Sequence, residues 1–249
     1  MFPTRCLFLP FAFFLAISLN AQELDLKGII RKAIDAHGGE EKLAKMKGAS
    51  SKIKGTLIVN GMTLDVTGES VMKLPDKFRN TLNLNINGMA IETAQIFDGK
   101  RYWVAAAGNT QELKDEKIIK EVREQIGAER AGGLVQLLKD PAFELNVIGE
   151  TKVKDQDAFG IRVSKKDSRD INMFFDKKTN LMAKIEMRTT NPMTGQELTQ
   201  TKYLLDYKEI QGVKTPSRLV IEQDGNPFMD LVISDVRILD TVDDAKFAP

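Results

Sequence analysis

Cysteine is almost absent from this chain. The only one, Cys6, lies in the first apolar run. Disulfides, thiolate-bound metals and thiol nucleophiles are therefore excluded from everything after it. Pro3-Thr4-Arg5 precede it, not the small and apolar residues that precede a lipidated cysteine. Histidine is as scarce. His37 is the only one, so a His-ligated zinc site cannot be built and a Ser-His-Asp triad would have to use it. It stands before Gly38-Gly39 at an expected helix end, where a cation suits the helix dipole, and it is read as structural. Gly68-Glu69-Ser70-Val71 lacks the second glycine of a nucleophile elbow. No Walker, dinucleotide or EF-hand motif occurs, and no metal or cofactor is expected. Charge of one sign is not in surplus either. Arg5 is the only charge before residue 22; beyond it 35 basic residues face 35 acidic ones. A general nucleic-acid binder needs a basic surface, so no nucleic-acid partner is expected.

Long apolar runs are limited to one, residues 6–19. It is shorter than the roughly 20 residues that span a bilayer. A basic start (Met1 to Arg5), this run, and Asn20-Ala21 before a charged stretch form the layout of a secretory signal peptide. Residues 1–21 are expected to be a leader cleaved after Ala21. Residues 22–249 are expected to form one exported domain, since no linker, low-complexity stretch or fixed-period repeat divides them.

The exported part opens with helical spacing at Leu24, Leu26, Ile29, Ile30 and Ala33, stopped by Gly38-Gly39. A short helix from Glu40 to Met46 follows. The period then becomes two. Ile53, Gly55, Leu57 and Val59 alternate with polar neighbours up to the hairpin signal Asn60-Gly61. Leu64 and Val66 share a face, as do Leu84, Ile86, Met89 and Ile91 around Asn87-Gly88. Asp98-Gly99 turns into residues 101–104. Further strand patterns follow at Phe143, Phe159, Ile171, Leu181, Leu198, Ser217 and Phe228. The expected fold is α+β: a strongly curved antiparallel sheet, an open or half barrel of about eleven strands, with helices covering its concave face.

A helical insertion at about residues 111–138 interrupts the strands. Ile118, Val122 and Ile126 share a face, Asn109 and Glu112 have capping-box spacing, and Gly127 and Gly132-Gly133 are expected breaks. The Asp176 to Asn180 and Asp224 to Asn226 segments are read as solvated turns, not calcium loops. Methionines, Met173 and Met187 among them, fall in the inward register of several strands. Methionine adapts to varied apolar ligands, although plain core packing is the simpler account.

Several segments resemble the LolA/LolB lipoprotein-carrier superfamily. Leu74-Pro75-Asp76-Lys77-Phe78-Arg79 is similar to its Pro-x-x-Phe-Arg signature. Ala36-His37-Gly38-Gly39, Phe97-Asp98-Gly99-Lys100, the stretch from Phe175 to Leu181 and that from Asp206 to Pro216 resemble its outer-membrane lipoprotein-sorting branch. The resemblance implies an open barrel with a helical lid, an apolar cavity for acyl chains, and no catalysis. It implies the periplasm of a bacterium with an outer membrane, and a monomer whose partners are lipid or lipoprotein acyl chains and a membrane donor or acceptor protein. On this basis Leu64, Val66, Leu84, Ile86, Met89, Ile91, Ile118, Val122, Met173 and Met187 are the expected lipid-contacting residues. Arg79 matches the arginine that holds the lid closed. Two alternatives stay open: a regulatory sensor of the same fold that binds a membrane-protein partner, and a hydrolase using carboxylates alone.

Overall fold

The computed structural model describes residues 25–59, 61–86, 88–191 and 194–249. The expected leader, Leu24, Asn60 and Asn87 of two expected turns, and Pro192 and Met193 lie outside these residues. Two helices, α1 (Leu26–Ala36) and α2 (Glu40–Lys45), come first. The Asp25 carboxylate caps α1 by accepting the Gly28 N–H at 2.8 Å. Ile30, Ala33 and Ile34 form its buried face.

A first run of strands follows: β1 (Gly48–Val59), β2 (Met62–Lys73), β3 (Lys77–Ile86), β4 (Met89–Phe97), β5 (Tyr102–Ala106) and β6 (Asn109–Leu113). Helices α3 (Glu116–Gly132) and α4 (Val135–Lys139) come next. The second run is β7 (Phe143–Val153), β8 (Gln156–Lys165), β9 (Ile171–Asp176), β10 (Met182–Thr190), β11 (Glu197–Ile210), β12 (Val213–Gln223) and β13 (Asn226–Leu239). All thirteen strands make one antiparallel sheet, in the order β6-β5-β4-β3-β2-β1-β13-β12-β11-β10-β9-β8-β7. The first and last strands meet at its centre, and β6 and β7 are its two edges. The segment between those edges must therefore cross a face of the sheet, and that segment is α3–α4.

The sheet is curved but not closed. Its central strands approach one another closely at glycines. A Cβ on Gly55 would lie 1.9 Å from the Asp230 carbonyl oxygen, and one on Gly68 would lie 2.1 Å from that of Thr81. Side-chain-free positions of this kind let strands coil tightly. The count of thirteen strands exceeds the expected eleven chiefly because of β6. Asn109 and Glu112 do not cap a helix; they pair with Ala106 and Trp103 in the edge strand. An exposed edge strand carries little apolar alternation, which is why periodicity missed it. The cap of α3 is Asp115, which accepts the Lys117 N–H at 2.8 Å.

Gly127 does not break α3, which runs through it to Gly132. The break is at Gly133–Leu134. Leu134 has φ 63° and ψ −44°, and the Val135 N–H donates to the Gly133 carbonyl at 2.7 Å. That is a γ-turn of the rare positive-φ kind, strained for a residue with a side chain. Burial of Leu134 between the helices and the sheet holds it there. The main core lies between α1, α3, α4 and strands β8–β10, with Ile161, Met173 and Met187 at its floor. After β13 the chain returns over the outer face, where Val242 and Phe247 pack on Ile96 and Trp103.

Candidate apolar site

Strand register decides which side chains share the face that α3 crosses. Phe97 pairs with Phe78 and Tyr102, and all three pack with Val122 of α3. Phe78 pairs with Met72, so the even-numbered residues of β2 and β3 lie on this inner face. Val66, Leu82 and Leu84 belong to it. Through β1 it continues to Leu57, then to Met229 and Leu231 of β13, then to Leu219 of β12.

These central residues form a separate apolar cluster. Leu57, Val66 and Leu231 are buried; Ile53, Leu82, Leu84, Leu219, Phe228 and Met229 are half-buried around them. Every member comes from a strand, none from a helix. They pack on one another, and α3 packs to either side: Ile118, Val122 and Ile126 toward Phe97 and Tyr102, Ala128 and Ala131 toward β8–β10. We call this strip of the inner face the trough.

The expected lipid-contacting residues divide into three groups. Leu64, Val66 and Leu84 lie in or beside the trough. Ile86, Met89 and Ile91 continue it outward on the same face, Leu84 pairing with Ile91 and Ile86 with Met89. Ile118, Val122, Met173 and Met187 are instead packed core beneath or on the helices. Sequence reading missed the contribution of β12 and β13. Leu219 and Leu231 show ordinary alternation, but nothing local says that β13 returns to pair with β1.

Arg79 does not reach the helices. It pairs with Val71 and Ile96 on the outer face, and its Nη1 donates to the Ala248 carbonyl at 2.9 Å. The expected lid-closing contact is thus replaced by a tie to the C-terminal segment, because an odd-numbered residue of β3 points away from α3. Other side chains hold α3. Arg169, in the β8–β9 turn, donates from Nη1 to Glu121 at 2.6 Å and from Nη2 to Thr190 at 2.8 Å. Thr189 donates its hydroxyl to the same Glu121 carboxylate, and Glu124 accepts the Arg169 N–H at 2.9 Å. Burial pushes the Glu121 carboxyl up, but the hydrogen bonds from Thr189 and Arg169 outweigh it and the group sits below its ordinary range. Farther along, Glu129 pairs with Lys202 of β11, whose charge holds that carboxyl down as well.

Beside α3 lies a cleft of about 340 Å³ between Lys120, Arg123, Gly127, Phe143 and Ile171. Two of its cations are already engaged, Lys165 with Asp140 and Arg169 with Glu121. Among the described residues no group of three or more His, Cys, Asp or Glu is placed to hold a metal ion, and no helix is long and apolar enough to cross a membrane.

No family model and no curated protein matches the chain. Solved structures do. A LolA superfamily protein from Nitrosomonas europaea matches with a TM-score of 0.55 at 13% identity, over 90% of this chain and 97% of that one. A DUF1329 family protein from Desulfovibrio piger matches with 0.55 at 14%, over 89% and 96%. A domain from Vibrio parahaemolyticus named for outer membrane lipoprotein sorting matches with 0.51 at 13%, over 88% and 97%. At such identities the likeness is one of fold: the chain has the LolA-like fold that its motifs resemble.

Proposed function

We propose that this protein is a periplasmic carrier or binding protein for lipid or lipoprotein acyl chains, held in the trough with α3 as its cover. One observation carries the reading: the inner face of the central strands is apolar, and its cluster is made of strand residues alone. A sheet that needed only a core would pack helix side chains into this strip, as the same sheet does over β8–β10. The LolA-like fold of the sorting domain from Vibrio parahaemolyticus supports it.

The energetics suit a carrier. An acyl chain gains about 0.8 kcal/mol per methylene removed from water. A carrier must offer burial close to that of the membrane, or cargo never leaves it, and not much more, or cargo is never released. A strand-lined trough with adaptable Met229 at its side meets both demands. Loading and release would then involve a membrane donor or acceptor.

The test is mass spectrometry of small molecules extracted from purified residues 22–249, with binding of a soluble fluorescent fatty acid as the second readout. Lipid is expected to co-purify. Leu84→Glu puts a carboxylate into the trough, and Leu84→Trp fills it while staying apolar; each is expected to weaken fatty-acid binding about tenfold or more, a loss of 1.4 kcal/mol or greater. Circular dichroism checks that both variants fold. Parent-like binding by both folded variants would remove the trough as the site.

A further inference from the structure

The apolar strip does not stop where burial stops. Leu57 pairs with Leu64, and the next inner-face pair outward is Val59 with Met62. Leu84 pairs with Ile91, and the next is Ile86 with Met89. Residues two apart on a strand keep the same face. The strip therefore runs from buried Val66, past Leu64 and Leu84, to the tips of two neighbouring hairpins, β1–β2 and β3–β4. There the cover ends. Met62 is 57% exposed, Met89 64% and Val59 36%. These two tips hold half of the six exposed large hydrophobic residues among the described ones.

The tips share a sequence, Val59-Asn60-Gly61-Met62 and Ile86-Asn87-Gly88-Met89. Neither residues 55–64 nor residues 84–91 contain a charge, in a chain that is 29% charged. The turns at the other end of the same strands are charged: Lys73, Asp76 and Lys77 at the junction of β2 and β3, Asp98, Lys100 and Arg101 after β4. Polarity is thus graded along the strands. A charge-free tip is what entry into hydrocarbon requires, since a charged side chain there costs about 2.5–3.5 kcal/mol. A protein partner would call for a broader face, about 800 Å² on each side. Two narrow tips, each ending in one flexible methionine, suit a fluid surface instead.

We infer that the two Asn-Gly-Met tips dock on a lipid bilayer, Met62 and Met89 entering the acyl boundary, so that a chain leaving the bilayer meets the strip and reaches the trough without crossing polar surface. This deepens the carrier reading and rests on it. The test is flotation of residues 22–249 with neutral phosphatidylcholine vesicles. The parent is expected to float with them equally at low and high salt, because apolar insertion is not screened. Met62→Asp/Met89→Asp is expected to cut the vesicle-bound fraction about tenfold or more, with an unchanged melting temperature because both positions are exposed. Met62→Leu/Met89→Leu is expected to float like the parent. Parent-like flotation of the aspartate variant, or release of the parent by salt, overturns the docking. Binding of the soluble fatty acid, measured without vesicles, separates the two readings. A parent that binds fatty acid but does not float overturns the docking and leaves the carrier. A parent that floats but binds no fatty acid overturns the carrier and leaves a bilayer-docking protein.

Discussion

His37 ends α1 and packs edge-on to Tyr207, with ring centroids 5.6 Å apart. Its Nδ1 lies 2.7 Å from the Ala33 carbonyl. A carbonyl only accepts, so the ring proton is on Nδ1. The His37 carbonyl in turn accepts the Lys214 N–H at 2.9 Å, tying α1 to β12. The role is structural, as expected, but the expected reason is wrong. Burial lowers the imidazole pKa below its ordinary 6.5, so the ring is a neutral donor rather than a cation on the helix dipole. The sign of the pH effect follows. Above about pH 6.5 both folded and unfolded chains hold the ring neutral. As the pH falls through that value the unfolded chain binds a proton that the folded chain refuses, so stability falls until the lower folded pKa is passed. We expect the melting temperature to drop between about pH 7 and pH 5, and the drop to be smaller in His37→Gln, by calorimetry at each pH.

At the scale of elements, α3 has an attachment that is partly polar. Glu121 and Glu129 hold it to Arg169 and Lys202, while short apolar contacts on both flanks complete the seat. Glu121 is buried and Arg169 is about a quarter exposed. Removing the carboxylate strands a guanidinium, which costs roughly 2–3 kcal/mol once the exposure is allowed for. Glu121→Gln is expected to speed hydrogen exchange along α3 and leave β1 and β2 unchanged, as in a gating element of low local stability. Exchange that rises equally in helix and strands would make α3 a fixed part of the core. Because the folded Glu121 pKa is lowered, its contribution is present above about pH 4.5 and is lost as the pH falls toward the folded value. Acid should therefore loosen α3 in the parent and do so less in Glu121→Gln.

For the molecule as a whole, the outer face matters as much as the inner one. The C-terminal segment is strapped there by Phe247, fully buried, and by Asp244, which bridges Lys73 at 2.6 Å and Lys77 at 3.0 Å. Arg79 adds its bond to Ala248. The strap spans β2 to β5, the half of the sheet that α1 and α4 do not cover. Phe247→Ala should lower stability by about 3–5 kcal/mol, the usual cost of deleting a fully buried phenyl ring. Arg79→Leu should cost at most about 1 kcal/mol, since its bond is exposed. It should speed exchange of the C-terminal segment and leave α3 unchanged. Faster exchange in α3 would reinstate the lid contact that the resemblance implied for Arg79.

Local order was legible in the residues themselves. Alternation at Leu64, Val66, Leu84 and Ile86 identified the inner face, because the pleat forces a period of two whatever the strand pairs with. Asn-Gly and Asp-Gly placed the hairpins, since few residues accept the positive φ those turns need. The helix around Ile118 and Val122 was visible in its stripe. Long-range order was not. Only the folded chain joins β1 to β13, and that pairing alone unites Leu57 and Val66 with Leu219 and Leu231. Only the parity of β3 against α3 sends Arg79 outward and leaves the hold on the helix to Glu121 and Glu129. Met173 and Met187 read as soft inward residues whether they line a trough or fill a core. Which of the two they do depends on where the helices lie, and that is set by a crossing between distant sheet edges, over which local periodicity has no say.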